Sequence, residues 1–334
     1  MVGDRTMMSL IIRRIITAFP TLAVVSFIMF MLLFMGPNPL EQLKQNPNYR
    51  PEDITRLTKL YGWDKPWYEQ YGKWASKFVR GDLGESITTH RPAGEMIKER
   101  LPLTMMLTGM SMMVSLLIAI PISAYVAVKK YSKADYAATL STFAMMATPS
   151  FFLALLLQLF ALKIQDMTGG TLIFFTAGAP SCASSGMFSC LGTPVEVFQR
   201  MALPVTALSM LQIAGWSRYQ RSELLNVLDS DYIKCAMSKG LPGRHVFMRH
   251  AMRNTLLPII TIVALDVAGL FGGAVITESV FGLPGMGNLL LDSTLNRDVV
   301  VVLAIVMIGT FLVLLFNTIA DILYPILDPR VRAG

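Results

Sequence analysis

Residues 299–320 read VVVVLAIVMIGTFLVLLFNTIA, a run without a single charged side chain. A helix needs about 20 apolar residues to cross the hydrocarbon core of a bilayer, so this stretch alone predicts a membrane-spanning helix. Uncharged runs recur at 15–40, 101–128, 136–162 and 201–217, and a further run, 254–277, contains a single charge, Asp266. The sequence therefore predicts an all-α polytopic membrane protein with six transmembrane helices.

The composition of the whole chain agrees with this prediction. Of its 334 residues, 53% are hydrophobic and 15% are charged, whereas soluble domains carry about 25% charged residues. This balance excludes a disordered chain, a disulfide-knotted secreted domain and an ordinary cytosolic enzyme. The net charge of +7 comes from basic residues that flank the apolar runs, which is typical of topology signals and not of a nucleic-acid surface. The expected partner is the lipid bilayer, with no nucleic acid.

The basic residues also predict the orientation of the chain. With six spans, the last at 299–324, four segments lie on one side of the membrane: the N-terminus 1–14, the loops 129–135 and 218–253, and the tail 325–334. Together they carry more than twice as many Lys and Arg as acidic residues. The only basic residues of the short outer loops at 163–200 and 278–298 are Lys163, Arg200 and Arg297. Because short loops rich in Lys and Arg stay inside, both termini are predicted to be cytoplasmic.

The remaining outer segment, 41–100, is predicted to be a helical insertion after the first span. Its aromatic residues form either a carbohydrate or peptide platform or, as is more common, the core of a small subdomain or an interfacial belt. They are Tyr49, Tyr61, Trp63, Trp67, Tyr68, Tyr71 and Trp74. Cys182 and Cys190 fall in the next outer loop, where a disulfide is plausible. Cys235 falls on the cytoplasmic side as a packing residue.

Motifs for catalysis and for ATP hydrolysis are absent from the sequence. The only Gly-Lys pair, Gly72-Lys73, is followed by Trp74 and lacks the pattern of a phosphate-binding loop. No HExxH occurs, and no Cys or His pattern has the spacing of a metal site. We therefore expect neither an enzyme nor a bound cofactor or metal in this chain.

Polar residues within the predicted spans are few. Asp266 costs about 2.5–3.5 kcal/mol near a helix centre on insertion scales, so it should face a wet cavity or a partner helix. It either contacts a cationic or amide group in a transport pathway or makes a structural interhelical hydrogen bond. Gln212 and Glu278, which stands just before a glycine-rich turn, are further pathway candidates.

The loop between the fourth and fifth spans carries the most local information. Residues 218–258 read RYQRSELLNVLDSDYIKCAMSKGLPGRHVFMRHAMRNTLLP. Asp229 or Ser230 can cap a helix that begins near Asp231, and Gly240 ends it before a Leu-Pro-Gly turn. Its apolar stripe comprises Tyr232, Ile233, Ala236 and Met237. Such a helix suits a groove on another protein, or equally the lipid headgroups.

At this loop the chain resembles a known family. Lys234-Cys235-Ala236-x-x-x-Gly240, followed by Leu257-Pro258, is similar to the EAA loop of binding-protein-dependent ABC importer permeases. Motifs in the same order as in the dipeptide/oligopeptide branch are Arg13-Arg14-x-x-x-x-x-Pro20, Gly81-Asp82-Leu83-Gly84, Gly282-Leu283-Pro284-Gly285-Met286-Gly287, Asn296-Arg297-Asp298 and Asp321-x-x-Tyr324-x-x-x-Asp328-Pro329-Arg330. Lys234 and Cys235 stand where the family motif has Glu and its first Ala.

The resemblance implies a permease subunit of an ATP-driven importer in the plasma (inner) membrane of a prokaryote. Its partners would be a homologous second permease, two cytoplasmic ABC ATPases that bind ATP and Mg, and an extracytoplasmic solute-binding protein. Residues 231–242 would form the coupling helix on an ATPase: Asp231, Tyr232, Ile233, Lys234, Cys235, Ala236, Gly240, Leu241 and Pro242. The turn residues Gly282, Pro284, Gly285 and Gly287 would form an outer gate or contact the binding protein.

Three alternatives to peptide import stay open at this level. A permease of the same branch could carry nickel or another small solute. A self-contained secondary transporter would show inverted repeats and charged residues in its spans, and neither is clear here. A membrane-bound enzyme is the least favoured hypothesis, because the sequence shows no catalytic constellation.

Overall fold

A computed structural model describes residues 2–35, 65–169, 173–180 and 194–327, with Glu52, Thr58, Gly62 and Asp64 as isolated positions. Within these residues the regular structure is helical, and extended pairing is confined to one isolated bridge between Glu85 and Pro92. The elements are α1 Val2–Phe34, α2 Trp67–Val79, α3 Ala93–Val128, α4 Lys133–Ala147, α5 Ser150–Met167, α6 Pro194–Leu228, α7 Asp231–Ser238, α8 Gly243–Val246, a π-helical turn Phe247–Met252, α9 Arg253–Val280, α10 Met286–Leu295 and α11 Val299–Leu327.

Five of these helices are long and apolar enough to cross a membrane. They are Ile16–Phe34 of α1, then α3, α5 and α6, and Val299–Ile319 of α11. The 28-residue α9 occupies the predicted fifth span, although several of its side chains lie outside the described part of the chain. The all-α polytopic class is thus confirmed, and the count of six spans stays a prediction.

The predicted third span, 136–162, is wrong as one continuous helix. The helix α4 ends at Ala147, Thr148 is extended with ψ 124°, and α5 begins after Pro149. A proline disfavours helical backbone in the residue before it and has no N–H to donate. Pro20, Pro121, Pro204 and Pro258 lie within unbroken helices.

The second and fourth spans are longer than predicted. The helix α3 begins at Ala93, inside the predicted outer insertion, and α6 extends beyond 201–217 into both adjoining loops. Charged side chains end the apolar stretch without ending the backbone hydrogen bonding, so a hydropathy boundary is not a helix boundary. At about 1.5 Å per residue, the 35-residue α6 is longer than the roughly 30 Å hydrocarbon core.

Small residues of α3 line its contact with α6. Ser111, Ser115, Ala119 and Ser123 repeat every fourth residue on α3 and are all buried. The Ser115 hydroxyl reaches the backbone carbonyl of Ser209 on α6 at 3.3 Å. Small side chains permit this close approach of membrane helices, where packing and hydrogen bonds replace the hydrophobic effect.

Tyr71 and Trp74 of α2 pack against α1, whereas Tyr68 is exposed. Tyr71 lies edge-on to Phe27 and Phe30, and Trp74 contacts Phe30. The Tyr71 and Ser26 hydroxyl oxygens are 2.9 Å apart. This is the packing alternative of the sequence analysis; Tyr49, Tyr61 and Trp63 lie outside the described residues.

Candidate functional site

The predicted coupling segment folds as a short helix between two turns. The helix α7 begins after Ser230, whose backbone is extended, and ends at Ser238, with Lys239 as its C-cap. Gly240 follows with φ +79°, a left-handed conformation that glycine adopts without steric cost. Pro242 then caps α8. The predicted start and stop positions thus coincide with the observed ends of this helix. The predicted side-chain cap does not form, because the Ser230 hydroxyl donates to the Val227 carbonyl instead.

One side of α7 is packed into the protein. Ile233 is fully buried in a cluster with Ala127 of α3, Leu224 of α6, and Val246 and Ala251 of the following turns. Ala236 is partly buried against the same cluster. The prediction of one apolar stripe from Tyr232 to Met237 is therefore wrong for Ile233 and Ala236, because these two side chains anchor α7 to its own chain.

The opposite side is exposed, and we call this set the α7 face: Asp231, Tyr232, Lys234, Cys235, Met237 and Leu241. Tyr232, Met237 and Leu241 expose 47%, 50% and 39% of their surface. Lys239, Gly240, Pro242, Arg244 and His245 are exposed beside it. Lys234 pairs with Asp231 at 3.3 Å. Exposed apolar side chains beside mostly basic ones suit contact with another protein or with lipid headgroups.

Behind α7, one stripe of α6 connects this segment to the membrane interior. Gln212, Trp216, Gln220 and Leu224 follow at four-residue spacing, and such residues lie on one helix face. Leu224 contacts the Ile233 cluster, and the Gln220 amide donates to Thr255 Oγ1 of α9 at 2.9 Å. The stripe joins α6 to α7, α9 and α3 at successive turns.

Two pathway candidates belong to this stripe or contact it. The Trp216 indole N–H donates to Asp266 Oδ2 at 2.5 Å. The Ser115 hydroxyl donates to Gln212 Oε1 at 2.7 Å, while the buried Gln212 Nε2 has no partner among the described residues. Asp266 thus makes the interhelical hydrogen bond of the second alternative and is only partly buried.

Glu278, the third pathway candidate, is fully enclosed. Its Oε1 accepts from the Thr104 hydroxyl at 2.6 Å, and its Oε2 accepts from the backbone N–H groups of Gly287 at 2.8 Å and Asn288 at 3.0 Å. These N–H groups open α10, where free donors and the helix dipole favour a carboxylate. Its exposed fraction is 0%, so in this conformation Glu278 holds α10 and does not reach a solute.

The four glycine-rich turn candidates divide into two pairs. Gly282 and Pro284 are exposed, whereas Gly285 and Gly287 are buried because other groups approach them closely. A Cβ on Gly285 would overlap the Glu278 carboxylate, and one on Gly287 would overlap the backbone of Val275. Only the first pair is accessible to another protein.

Two polar contacts that unite distant segments are absent from the sequence predictions. The Asp298 carboxylate accepts from the hydroxyls of Ser86 at 2.5 Å and Thr88 at 3.1 Å. This contact joins two motifs of the resemblance, because Ser86 follows Gly81–Gly84 and Asp298 ends Asn296–Asp298. The second contact joins Asp135 to Arg221, and the sequence carries no motif that marks it.

Metal and cysteine chemistry find little support in the described part of the chain. No three His, Cys, Asp or Glu side chains there converge as a metal site requires. Cys235 is a free, exposed thiol, so the expectation of a packing residue is wrong. Cys182 and Cys190 lie outside the described residues, and their disulfide stays a prediction.

Comparison with known proteins identifies the family. Residues 119–333 match the family described as the inner membrane component of binding-protein-dependent transport systems, and residues 7–108 match the N-terminal family of the same membrane component. The chain belongs to this family. It is a multi-pass membrane permease subunit of an ABC importer and not itself an enzyme, because the ATPase of such an importer is a separate subunit.

Relatives of this permease match along its whole length. The oligopeptide transport system permease protein AppB of Bacillus subtilis is 36% identical over 98% of this chain and 100% of its own. The oligopeptide transport system permease protein OppB of Mycobacterium tuberculosis is 33% identical over 96% of this chain and 98% of its own. A putative peptide transport system permease protein of Brucella abortus is 32% identical over 98% of this chain and 99% of its own.

Proposed function

We propose that this permease forms half of the translocation pathway of an importer for di- or oligopeptides. The observation that carries the substrate class is its full-length similarity to relatives named as oligopeptide and peptide permeases. The second half would be a homologous permease, and an extracytoplasmic solute-binding protein would deliver the peptide. The chain would lie in the inner membrane of a prokaryote with both termini cytoplasmic, as its basic loops favour.

ATP hydrolysis would drive this permease from outside the chain. Two cytoplasmic ABC ATPases would bind ATP and Mg, and the α7 face would sit in a cleft of one of them. The exposed apolar centre, with Lys239 and Arg244 at its edge, suits a cleft that is apolar inside and acidic at its rim. Lipid headgroups are the competing contact for the same face.

Movement of the ATPase would reach the membrane through the anchored side of α7. Ile233 is buried against Leu224, so displacement of α7 would carry the end of α6 with it. The α6 stripe then meets α9 at Thr255 and Asp266 and α3 at Ser115. Because packed helices hold discrete arrangements, such a displacement would switch the pathway between inward-open and outward-open states.

On the outer side, Gly282 and Pro284 would contact the binding protein or form the gate. Gly285 and Gly287 would leave the space that Glu278 needs to hold that turn. Asp266 stays a candidate for solute contact because it is only partly buried. Glu278 would act in this conformation as a support for the turn, not as part of the pathway.

The test is uptake by proteoliposomes that contain the purified complex with its binding protein. We expect accumulation of a labelled oligopeptide that requires ATP inside the vesicle. ATP-dependent accumulation of nickel without peptide uptake would assign the permease to the alternative substrate. Uphill uptake by the chain alone, without ATPases, would instead support the secondary-transporter alternative.

A further inference from the structure

A bidentate ion pair fixes α4 to the cytoplasmic end of α6. Arg221 Nε donates to Asp135 Oδ1 at 2.6 Å, and Arg221 Nη2 donates to Asp135 Oδ2 at 2.7 Å. The Asp135 side chain is only 5% exposed, and that of Arg221 is 26% exposed. Two parallel charge-assisted hydrogen bonds define orientation as well as distance, which a single contact between point charges does not.

The same carboxylate also holds the loop between α3 and α4. Asp135 Oδ2 accepts from the backbone N–H of Tyr131 at 3.0 Å. Tyr131 has φ +62°, a left-handed backbone that a bulky residue adopts only where its surroundings enforce it. Asp135 therefore connects three elements: the end of α3 through its loop, the start of α4, and α6.

A second contact farther along α4 adds to the ion pair. The Arg218 guanidinium lies 4.7 Å from the centre of the Phe143 ring of α4. Arg218 and Arg221 lie nearly one turn apart on α6, and Asp135 and Phe143 lie about two turns apart on α4. Two separated contacts fix both the position and the direction of α4.

The ion pair lies directly beside the anchorage of α7. Arg221 is one turn before Leu224 and Leu225, both of which contact the Ile233 cluster. At its other end, α4 is separated from α5 by the break at Thr148 and Pro149. The helix α4 is thus fixed at the coupling end, and its backbone is not continuous with that of α5.

We propose that Asp135 and Arg221 are positioning residues of the transport cycle, which keep α4 moving with α6 when the ATPase displaces α7. This inference rests on the proposed function, since it requires an ATPase at the α7 face. In this role the pair transmits the movement to α4, which forms the first half of the predicted third span. Neither residue contacts the solute in this role.

Arg221→Lys and Asp135→Asn test the role in the assembled complex. Lys keeps the charge but not the fork, and Asn keeps the shape but not the charge. We expect both variants to assemble and hydrolyse ATP while the peptide imported per ATP falls by at least about fivefold. The matched control is Glu196→Gln, which removes a carboxylate paired at 3.2 Å with Arg200 within the opposite end of α6; its import ratio should not change.

A merely structural role gives a different result. If both variants lower the melting temperature but keep the wild-type import ratio, the proposal is overturned and the proposed function stands. If the wild-type complex shows no ATP-driven uptake at all, the proposed function itself fails.

A distance measurement in a complex with intact Asp135 and Arg221 keeps the proposal testable if the variants do not assemble. Spin labels would replace the exposed Leu140 of α4 and Ser222 of α6. We expect their separation to stay constant between the ATP-bound and ATP-free states. A change of several ångström between these states would overturn the proposal.

Discussion

The indole N–H of Trp216 donates to the Asp266 carboxylate at 2.5 Å and thereby joins α6 to α9 within the membrane region. Trp216 is 2% exposed, so this donor has little access to any other acceptor. The contact gives Asp266 a reason to lie in an apolar span, because a carboxylate there requires a donor, water or a counter-charge. Because Trp216 belongs to the α6 stripe, Asp266 is in direct contact with the stripe that leads to α7.

Replacement of Trp216 and of Asp266 separates the structural role of this contact from a solute role. Trp216→Phe removes the donor and should destabilise the complex by about 0.6 kcal/mol, the average for polar contacts between membrane helices, plus the cost of the space left by the smaller ring. Asp266→Asn keeps an acceptor for the indole and should be milder in thermal unfolding. If Asp266 also meets the solute, Asp266→Asn should lower uptake despite near-normal stability. Normal uptake by this variant would leave Asp266 the interhelical role alone.

Gly240 is expected to be required for its backbone conformation and not for lack of space. A Cβ there would meet no described atom within 4 Å, yet φ +79° costs an L-residue about 1–2 kcal/mol. Gly240→Ala should therefore shift the Leu241-Pro242 turn and lower uptake per ATP, whereas Gly240→Asn should retain more function. Gly243→Ala is the control, because a Cβ there is also open and φ is not positive. Equal import ratios for the two alanine variants would refute the role of the turn.

The outer turn is expected to depend on Glu278 and the glycine beside it. Glu278→Ala would leave the Thr104 hydroxyl and two backbone N–H groups without their acceptor, at about 1–3 kcal/mol for an unsatisfied buried group. Gly285→Ala would force its Cβ into the same carboxylate and should cost about 1–3 kcal/mol. Thermal unfolding of the purified complex measures both. Gly72→Ala on α2 is the control, because a Cβ there meets no described atom within 4 Å. An equal loss of stability in this control would contradict the specific role of the outer turn.

Acid should weaken the Asp135–Arg221 pair only at low pH. The hydrogen bonds from Arg221 lower the pKa of Asp135 from its ordinary value. A carboxyl group whose pKa is lower in the folded state stabilises the fold above its unfolded pKa, about 3.9, and loses that contribution as the pH falls through the folded pKa. The stability lost in Asp135→Asn should therefore be the same at pH 8 and pH 5 and should shrink only in stronger acid.

The size of that loss is also constrained. It should be smaller than the roughly 3–5 kcal/mol of a fully buried pair, because the Arg221 side chain keeps 26% of its surface exposed. Melting temperatures of the two complexes across this pH range make the comparison. A difference that vanishes between pH 8 and pH 5 would contradict the assignment.

Local signals predicted the ends of the helix before Gly240 well. Ser230, Gly240 and Pro242 mark a start, a stop and a turn within a dozen residues, and α7 ends where they indicate. The direction in which Ile233 faces was not predictable, because four apolar residues on an eight-residue helix occupy more than one side. Only the pocket made by Leu224, Val246 and Ala251 decides which side is buried.

Hydropathy predicted membrane segments better than helices. The run at 136–162 is uncharged throughout, and hydropathy gives no information on whether its backbone is continuous across Thr148 and Pro149. The pairs of Asp135 with Arg221 and of Asp298 with Ser86 are separated by 86 and 212 positions along the chain. Contacts at such separations follow from helix packing, and no sequence pattern in a single chain specifies them.

The reactivity of Cys235 tests the central claim, that an ATPase works this permease through the α7 face. In a variant with Cys182 and Cys190 replaced by serine, the exposed thiol should react with a maleimide when the chain is reconstituted alone in a bilayer. It should become protected when the ATPases bind, and a short thiol cross-linker should join it to one of them. Equal labelling with and without ATPases, or protection by the bilayer alone, would contradict the account.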